Sequence, residues 1–512
     1  MKICLVAPRN PPSFWTFDRI LPSLNKKCVF PNLSLPTVAG ITPREHEVVL
    51  CDENVGPVDF DTDADIVGLT GYVIHKQRIF ELAAEFRRRG KFVVIGGPLA
   101  SLCPEEVRDK VDVVFVDEAE YTWPQFLRDY EAGTWQREYR QDEKPSMHDS
   151  PLPRFDLLKI DRYRSMTIQF TRGCPFTCEF CDIIVMYGRR PRAKQVGQVM
   201  AEIDTLYGLG ARNIFVVDDN FIGNKKLAKE LLVAIIDWQR AHDQPIEFMT
   251  EVSLNISQDD ELLRLMRQAN FTTIFIGIES PRVSSLEETK KNQNLRENLL
   301  DSVHRIQRAG IDVMAGMIVG FDHDDTDIFE EQFRFIQDAR IPISMTGMLN
   351  ALPKTPLYKR LQEAGRLAAE SVGDQFVLTN IIPKGMTLAE LHTGYRKLLE
   401  RLYSYRNYRR RVMELILNKG MEIEQKLVTG RQDLAIFARV LWTCVVSASP
   451  RRAWLTLSLM IETLLRRPKA LRDAVTFALV HKHLYEYMKE TCRRLEQLSP
   501  ADPRLPEGVS GA

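Results

Sequence analysis

The sequence lacks several features that would assign the protein to a membrane or to the secretory pathway. It contains no run of about 18 uncharged apolar residues, so a membrane-spanning helix is not expected. The residues after Met1 show no charged segment, apolar segment and cleavage site in succession, so a secretory signal is not expected either. The nine cysteines show no regular pairing, which argues against a disulfide framework. We therefore predict a protein of the reducing cytoplasm.

The composition indicates a globular protein with one unusual region. Apolar residues make up 44 % of the 512 residues, and this length predicts about three domains. The formal net charge is zero. Residues 401–512, however, contain 20 Lys and Arg against 11 Asp and Glu, a net charge of +9, so the first 400 residues carry −9. This asymmetry separates the tail from the rest of the chain.

Three cysteines lie close together in the middle of the chain. Cys174, Cys178 and Cys181 have the spacing C-x3-C-x2-C and follow the apolar run 166–170, which alternates like the end of a strand. A cubane iron–sulfur cluster held by three thiolates leaves one iron with an open position, as catalytic metal sites need. The spacing therefore predicts a catalytic cluster.

Structural zinc is the main alternative for these cysteines, together with inert thiols. A zinc site needs a fourth Cys or His within about 20 residues. The next cysteine downstream is Cys444, and the nearest histidines, His148 and His242, are not at ligand spacing. The iron–sulfur interpretation is favoured for this reason.

With Phe180 directly before the third cysteine, the motif resembles the signature of the radical S-adenosylmethionine (SAM) superfamily. The resemblance implies that SAM chelates the open iron through its amino and carboxylate groups. It also implies that an electron from the cluster cleaves SAM to a 5′-deoxyadenosyl radical, which abstracts a hydrogen atom.

The first 135 residues show strands that alternate with helical stretches, which predicts a parallel, doubly wound sheet. The predicted strands are Lys2–Ala7, Val48–Cys51, Asp65–Leu69, Phe92–Ile95 and Val111–Val116, with a helix at Lys76–Arg89. Ligands of such sheets bind at the carboxyl ends of the strands, where Gly96 and Gly97 would let a ligand approach the backbone.

The order of these motifs resembles the Rossmann-like cobalamin-binding domain that precedes many radical SAM barrels. The resemblance implies cobalamin as a cofactor and assigns cofactor-binding roles to Thr70, Gly71, Gly96, Gly97 and Glu118. A Rossmann-like domain without a cofactor is the alternative.

The histidine that would bind cobalt is missing from its expected place. The family motif D-x-H-x-x-G does not follow the first strand, and the similar frame that starts at Asp52 has Asn54 in place of His. His75 is interpreted as a residue at the start of a helix rather than as a ligand. We therefore expect cobalt without a histidine on its lower face.

After a charged, proline-rich linker at 136–165, residues 166–360 predict a partial (β/α)6 TIM-type barrel. Its strands are the cysteine strand, Asn213–Val217, Ile246–Glu251, Thr273–Ile278, Val313–Val319 and Ile343–Leu349. Its helices lie near Val196–Leu209, Lys225–Gln239, Asp259–Gln268, Leu295–Ala309 and Asp325–Asp338. The active site of such a barrel lies at the carboxyl ends of the strands.

Polar residues gather at those strand ends. Their carboxylates could simply cap the next helices, but three successive strand ends carry one. The resemblance to radical SAM enzymes places SAM here, on Glu279 and Ile318, and with weaker support on Asp219 and Glu251. The basic loop 187–192 either meets a cofactor's anionic group or is a solvated run of charge.

The tail, 361–512, predicts a helical C-terminal domain with helices at Leu398–Val412, Arg431–Val446 and Arg452–Leu465. Two apolar stretches, Leu434–Ala448 and Ala453–Leu465, are each too short to span a bilayer. Packing in a small bundle that closes the barrel is the favoured interpretation. The alternative is attachment to an anionic membrane at the inner face, helped by Arg451, Arg452, Arg466 and Arg467. Disorder is expected from Ser499 onward.

A longer match covers residues 2–399 and is strongest between Pro151 and Pro356. The segments CPFTCEFCDII, YGRRPR, VVDDNFIGNKK and AGMIVGFD resemble the cobalamin-dependent radical SAM family that contains hopanoid C-2 methylase. This implies a C-methyltransferase that acts on a lipid-like substrate and receives electrons from an external donor. A cobalamin radical enzyme that forms or contracts a ring is the second hypothesis. A methylthiotransferase or RNA-modifying enzyme is less favoured, because Cys4, Cys28, Cys51 and Cys103 are scattered and no nucleic-acid module is evident.

Overall fold

The computed structural model describes residues 1–420 and 431–498 and contains two parallel six-stranded sheets. The strands of the first sheet are β1 (Lys2–Ala7), β2 (Glu47–Asp52), β3 (Ile66–Thr70), β4 (Phe92–Gly96), β5 (Val113–Val116) and β6 (Glu138–Arg140). Its helices are α1 (Ser34–Ile41), α2 (Lys76–Arg88), α3 (Pro98–Leu102), α4 (Pro104–Val107) and α5 (Thr122–Glu131). Ile3 and Leu5 pack in one core and Cys4 and Val6 in another, so both faces of the sheet are covered, as the continuous apolar strands require. The predicted Rossmann-like α/β fold is confirmed.

The strand order of this sheet, β2-β1-β3-β4-β5-β6, reverses its direction between β1 and β3. In open α/β sheets the ligand crevice lies at such a switch point, outside the carboxyl ends of the strands. Asn10 follows β1, and Gly71 and Tyr72 follow β3. The fold therefore points to these residues as the floor of a ligand site.

The predicted linker at 136–165 is wrong at its beginning. Glu138–Arg140 forms β6, which pairs in parallel with β5. The first sheet thus extends beyond residue 135. The short strand β6 supplies hydrogen-bond partners to the outer edge of β5. The remaining domain boundaries stay predictions.

The second sheet is an open, partial barrel whose strands follow one another in chain order, β14-β13-β12-β11-β10-β7. The strands of this part of the chain are β7 (Met166–Ile168), β8 (Thr171–Arg172), β9 (Arg192–Ala193), β10 (Asn213–Val216), β11 (Glu247–Glu251), β12 (Phe271–Glu279), β13 (Asp312–Val319) and β14 (Ile343–Met348). The helices are α6 (Ile183–Met186), α7 (Val196–Gly208), α8 (Lys225–Ala241), α9 (Asp260–Gln268), α10 (Val283–Glu288), α11 (Leu299–Arg308) and α12 (Ile328–Asp338). The predicted (β/α)6 barrel is confirmed. Only β8 and β9 lie outside the sheet, where they form a short antiparallel ribbon.

The C-terminal region is helical, and it packs onto the barrel. Its helices are α13 (Pro356–Glu363), α14 (Leu388–Tyr403), α15 (Tyr405–Asn418), α16 (Arg431–Leu441), α17 (Pro450–Arg466) and α18 (Leu471–Gln497). The Tyr395 hydroxyl of α14 donates to the Thr346 carbonyl of β14 at 2.9 Å, and the two regions share one apolar core. None of the helices within the two described ranges is long and apolar enough to span a bilayer.

The helix predicted at Leu398–Val412 is wrong, since the chain breaks at Ser404 into α14 and α15. Ser404 has ψ 142°, and its side chain accepts a hydrogen bond from the Asn407 amide, so that it caps α15. The predicted helix Arg431–Val446 ends as an α-helix at Leu441 and continues as a π-helix, Trp442–Val446. The predicted disorder from Ser499 onward lies outside the described residues.

The segment between β1 and α1 carries aromatic side chains into the other parts of the molecule, which the sequence did not suggest. Phe14 packs edge-on against Phe376 and Tyr487, with ring centroids 5.0 and 4.7 Å apart. Trp15 lies 5.1 Å from Phe275 of β12. This segment therefore connects the first sheet to the barrel and to the C-terminal helices.

Candidate active site

The cysteine loop follows β8 and is fixed through its backbone. Gly173 has φ +95°, and a Cβ atom on it would lie 2.9 Å from the Gly188 carbonyl oxygen, so only glycine fits there. The Cys174 amide donates to the same Gly188 carbonyl at 3.3 Å. These contacts hold Gly173 and Cys174 against Gly188, which follows the third cysteine in the chain.

Two aspartates at the carboxyl end of β10 hold the start of this loop. Asp218 accepts hydrogen bonds from the Phe170 amide at 2.7 Å and from the amide and hydroxyl of Thr171 at 2.9 and 2.8 Å. Asp219 accepts one from the Gly173 amide at 2.7 Å. In the structure Asp219 thus positions the cysteine loop, and its predicted contact with SAM remains a proposal.

The donor set of the cysteine loop fits an iron–sulfur cluster. Its three thiols lie within eight residues, and each thiolate of a cubane binds a different iron. Within residues 1–420 and 431–498, no three His, Cys, Asp or Glu side chains are arranged to hold a single metal ion. Burial raises the pKa of the Cys174 and Cys181 thiols, and a bound cation would supply the charge that ionises them.

A lysine that sequence reasoning missed lies beside the cysteines. Lys291 forms an ion pair with Glu279 at 2.7 Å, and its ammonium lies 5.7 Å from the centre of the Phe180 ring. Burial opposes its charge, but Glu279 and the cysteines, Cys178 foremost, raise the pKa of Lys291 above its usual value. Lys291 therefore connects the strand end that carries Glu279 to the cluster loop.

Glu279 reaches this position through irregular backbone. It has φ +67°, and the pairing of β12 with β13 shifts register between Gly277 and Glu279. A Cβ atom on Gly277 would lie 2.2 Å from a carboxylate oxygen of Glu279, so a larger residue here would displace that carboxylate. Such strain at a strand end is typical of functional sites.

Phe180 and Ile318, which the sequence predicts as SAM contacts, lie in one apolar cluster. Ile318 alternates along β13 with buried residues and is itself only partly buried, so it faces the barrel interior. The structure thus brings Phe180, Glu279 and Ile318 together around the loop of the three cysteines. It places Glu251 farther along the barrel mouth.

The barrel mouth is acidic. Burial, followed by Asp219 and Asp218, raises the pKa of Glu251 to about 8, and burial raises that of Asp219 to about 7. Burial also raises the pKa of Asp182 above its usual value. A protonated Glu251 can donate a hydrogen bond at neutral pH, and a cationic ligand would favour its ionised form.

Tyr72, at the carboxyl end of β3, faces this acidic mouth from the first sheet. Burial of its hydroxyl, followed by the charges of Asp182, Asp219 and Glu251, raises its pKa to about 12, which places Tyr72 near these three carboxylates. The carboxyl ends of the strands in the first sheet therefore face the carboxyl ends of the barrel strands.

The predicted cobalamin residues of the first sheet, Glu118 excepted, form one group at this edge. A Cβ atom on Gly97, which has φ +86°, would lie 2.4 Å from the Thr70 hydroxyl oxygen, so glycine is required. The Gly71 carbonyl accepts from the Leu99 amide at 2.9 Å, and Gly96 ends β4. The Thr70 hydroxyl makes no hydrogen bond within the described residues. It remains available to a ligand at the switch point, which fits a bound cofactor.

Glu118 has a different place from the one predicted. It is buried in an ion cluster with Arg172 and Arg192, at 2.5 and 2.7 Å, and its side chain is 3 % exposed. Arg172 also pairs with Glu120 at 2.6 Å. Because these arginines flank the cysteine loop, Glu118 ties the first sheet to that loop instead of lying in the group around Thr70.

The arginines of the basic loop 187–192 have two different environments, one in an ion cluster and one in solvent. Arg192 belongs to the ion cluster just described, whereas Arg189 and Arg190 are exposed to solvent. Within the basic loop, Arg189 and Arg190 therefore lie outside the ion cluster of Glu118.

His75 has no nitrogen left for cobalt. Its Nδ1 accepts from the Tyr72 amide at 3.0 Å, its Nε2 lies 2.9 Å from Asn10 Oδ1, and burial lowers its pKa to about 4. The structure therefore agrees with its interpretation as a residue at a helix start.

In protein loaded with cobalamin, we expect no nitrogen superhyperfine splitting in the electron paramagnetic resonance spectrum of the cobalt(II) form. The reason is that both His75 nitrogens are held by hydrogen bonds. A His75→Ala variant should give the same pattern as the wild type. Splitting that appears in the wild type and disappears in this variant would show that His75 binds the metal.

Aromatic side chains line the interior of the barrel below the mouth. Phe215 of β10 lies 4.9 Å from Phe30 and 6.5 Å from Trp15, which in turn contacts Phe275 of β12. A Cβ atom on Gly316 of β13 would lie 3.0 Å from the Phe275 ring, so the small residue makes room for it. The barrel thus offers an apolar wall beneath its charged rim.

Comparisons with known proteins agree with this geometry. The radical SAM superfamily model matches residues 168–336, and a domain of unknown function, DUF4070, matches 355–497. An uncharacterized methyltransferase of Synechocystis is 39 % identical over 95 % of this chain and 92 % of its own. Hopanoid C-2 methylase of Rhodopseudomonas palustris is 35 % identical over 72 % of this chain and 71 % of its own.

The fold also matches a solved structure. The cobalamin-dependent SAM radical enzyme OxsB, with aqua-cobalamin and SAM bound, superposes with a TM-score of 0.60 at 16 % identity, over 98 % of this chain and 82 % of its own. From the cysteine loop, the two facing sheets and these relatives together, the chain belongs to the cobalamin-dependent radical SAM methyltransferase family that includes hopanoid C-2 methylase.

Proposed function

We propose that this enzyme transfers a methyl group from SAM to an unactivated carbon of a lipid-like, hopanoid-type substrate. The observation that carries the proposal is the 35 % identity with hopanoid C-2 methylase, which covers 72 % of this chain. The aromatic interior of the barrel supports it, because a polycyclic lipid offers apolar surface and few polar groups.

In this proposal each part of the site has one task. Cys174, Cys178 and Cys181 hold the cluster, while Phe180, Glu279 and Ile318 contact SAM. Lys291 is suited to bind a carboxylate of the ligand. Its ammonium has three N–H donors, and its pairing with Glu279 leaves donors for a second carboxylate. Residues Thr70, Gly71, Gly96 and Gly97 hold cobalamin against the first sheet. When bound, the cluster supplies the electron that cleaves SAM, and cobalamin carries the methyl group.

The site is arranged to keep water away from a radical. Tyr72 and the carboxylates of the barrel mouth flank the proposed ligand position, and the ion cluster of Glu118 closes the side of the cysteine loop. Protection of a reactive species from solvent is one task of such closure. As a radical SAM enzyme, the protein needs an external electron donor. A cytoplasmic location at the inner face of the membrane remains a prediction.

Product analysis tests this function. Anaerobically reconstituted enzyme is incubated with reductant, methyl-labelled SAM and a hopanoid-containing lipid extract. We expect label in the lipid, with S-adenosylhomocysteine and 5′-deoxyadenosine formed in equal amounts, because one SAM gives the methyl group and another gives the radical. The Cys174→Ala variant is the control and should form no 5′-deoxyadenosine.

Other outcomes would change the assignment. Formation of 5′-deoxyadenosine and of a modified lipid without S-adenosylhomocysteine would indicate the second hypothesis, a ring-forming or ring-contracting radical enzyme. Methylation of a tetrapyrrole or another non-lipid compound in preference to the lipid would keep the reaction and overturn the substrate.

A further inference from the structure

The outer face of α17 is apolar, and nothing in the described chain covers it. Its members are spaced so that they lie along one side of the helix: Trp454, Leu457, Ile461, Leu464 and Leu465. All five are exposed, from 43 % for Leu457 to 80 % for Leu465. We call these five residues the apolar face.

The opposite side of α17 is less apolar than this exposed one. Leu455 and Leu459 are buried there, but so are Arg452, Thr456 and Thr463. The hydrophobic effect would favour the reverse orientation in a helix that met only water on its outside. The adjacent π-helix adds two more exposed apolar side chains, Trp442 and Val446. An exposed apolar surface of this kind marks an interaction site.

Cations lie at the ends of the apolar face. Arg451 and Arg466 are exposed at the two ends of α17, and the Arg409 guanidinium lies 5.5 Å from the centre of a Trp454 ring. Arg451 also lines an open cavity of about 720 Å³ together with Lys489 and Arg493. Within the described residues, none of these last three pairs with a carboxylate.

The carboxylates around that cavity share a single arginine. Glu400 and Glu496 line it as well, and both pair with Arg396, at 3.5 and 2.8 Å. With Arg396, the three cations of the lining still outnumber these two carboxylates, so a net positive charge remains around Arg451, Lys489 and Arg493. Two of the arginines predicted from the sequence are engaged elsewhere: Arg452 pairs with Glu486 at 3.0 Å, and Arg467 donates to backbone carbonyls.

We propose that the apolar face of α17 lies on an anionic phospholipid bilayer, with Arg451, Lys489 and Arg493 against the lipid headgroups. A 17-residue helix with Trp and Leu outside and cations at its margin suits the plane of a membrane interface. Glu462, the one acidic residue of α17, pairs with Arg409 and Arg466 at 2.5 and 2.9 Å, so lipid covers the face without leaving this carboxylate unpaired. The attachment goes beyond the proposed function, since it requires neither cofactor nor substrate.

Vesicle binding by the full-length protein tests this surface. The probes are vesicles of phosphatidylcholine alone and of phosphatidylcholine mixed with phosphatidylglycerol. We expect co-sedimentation with the mixed vesicles at low salt, weakened by roughly tenfold or more at high salt and on neutral vesicles. The double variant Leu457→Glu/Ile461→Glu should lose binding to a similar degree. Val233→Glu is the matched control, since Val233 is an apolar residue equally exposed on α8.

Two further measurements keep the test independent of folding defects in that variant. Brominated phospholipid should quench part of the tryptophan fluorescence of the wild type, because Trp442 and Trp454 are exposed. The triple variant Arg451→Gln/Lys489→Gln/Arg493→Gln, at three exposed positions, should bind mixed vesicles as weakly as the wild type binds neutral ones.

Several results would overturn the proposal. They are a wild type that ignores mixed vesicles at low salt, a double variant that binds like the wild type, and a wild-type dimer that Leu457→Glu/Ile461→Glu separates into monomers. The last result would make the face an interface between two copies. Methyl transfer to lipid in detergent does not depend on any of these outcomes, so failure here and failure of the proposed function are distinguishable.

Discussion

Replacement of Cys174, Cys178 or Cys181 by alanine is expected to abolish both the absorbance of the iron–sulfur cluster and the cleavage of SAM. Each thiolate binds its own iron, so a cubane that loses one of three protein ligands is open on two sides. Anaerobically reconstituted wild type should contain about four irons per chain. Iron analysis, visible absorbance and the yield of 5′-deoxyadenosine measure the effect.

Cys51→Ala is the matched control for these variants. Cys51 lies in β2, outside the cysteine loop, and burial raises the pKa of its thiol to about 11, so the thiol is neutral at neutral pH. This variant should load iron like the wild type. Full iron loading of a triple Cys174/Cys178/Cys181 variant would contradict the assignment of the cluster.

The strands of both sheets could be predicted from the sequence because they are buried on two sides. Lys2–Ala7 and Asn213–Val216 are short and apolar after their first residue, and such runs have few alternatives to a central parallel strand. Glu138–Arg140 escaped prediction since it lies at a sheet edge and carries two charged residues. Edge strands lack the apolar signal that identifies central ones.

The break at Ser404 could not be predicted for a different reason. Apolar residues continue at helical spacing through α14 and α15, from Leu398 and Leu402 to Tyr408 and Val412, since both helices bury one face in the same core. Periodicity reports the buried face and not the direction of the axis. A serine within the pattern was the only local signal of a new helix start.

The cysteines could be found from sequence because their ligand spacing is local, whereas the partners around them are distant in the chain. Lys291 meets Glu279 only because the backbone turns at the end of β12. Tyr72 faces Glu251 only once the two sheets are placed against each other. Glu118 was placed in the cofactor group because nothing local reveals that its partner is Arg172, 54 residues later.

The ion cluster of Glu118 leads to the second large effect that we expect. Arg172 directly precedes Gly173 and Cys174, and its guanidinium pairs with Glu118 and Glu120. All three side chains are almost completely buried. Removing one partner from a buried ion pair leaves an uncompensated charge and costs about 3–5 kcal/mol.

Arg172→Met should therefore destabilise the protein by about this amount and reduce its iron content, because Glu120 loses its cationic partner while Glu118 keeps Arg192. Addition of Glu120→Gln to this variant should restore much of the loss, since the stranded charge is then removed. The control is Arg154→Met, whose pair with Asp156 is exposed and should cost at most about 1 kcal/mol. Urea unfolding measures the stability of the three variants. If Arg172→Met is no less stable than Arg154→Met, the cluster does not hold the cysteine loop against the first sheet.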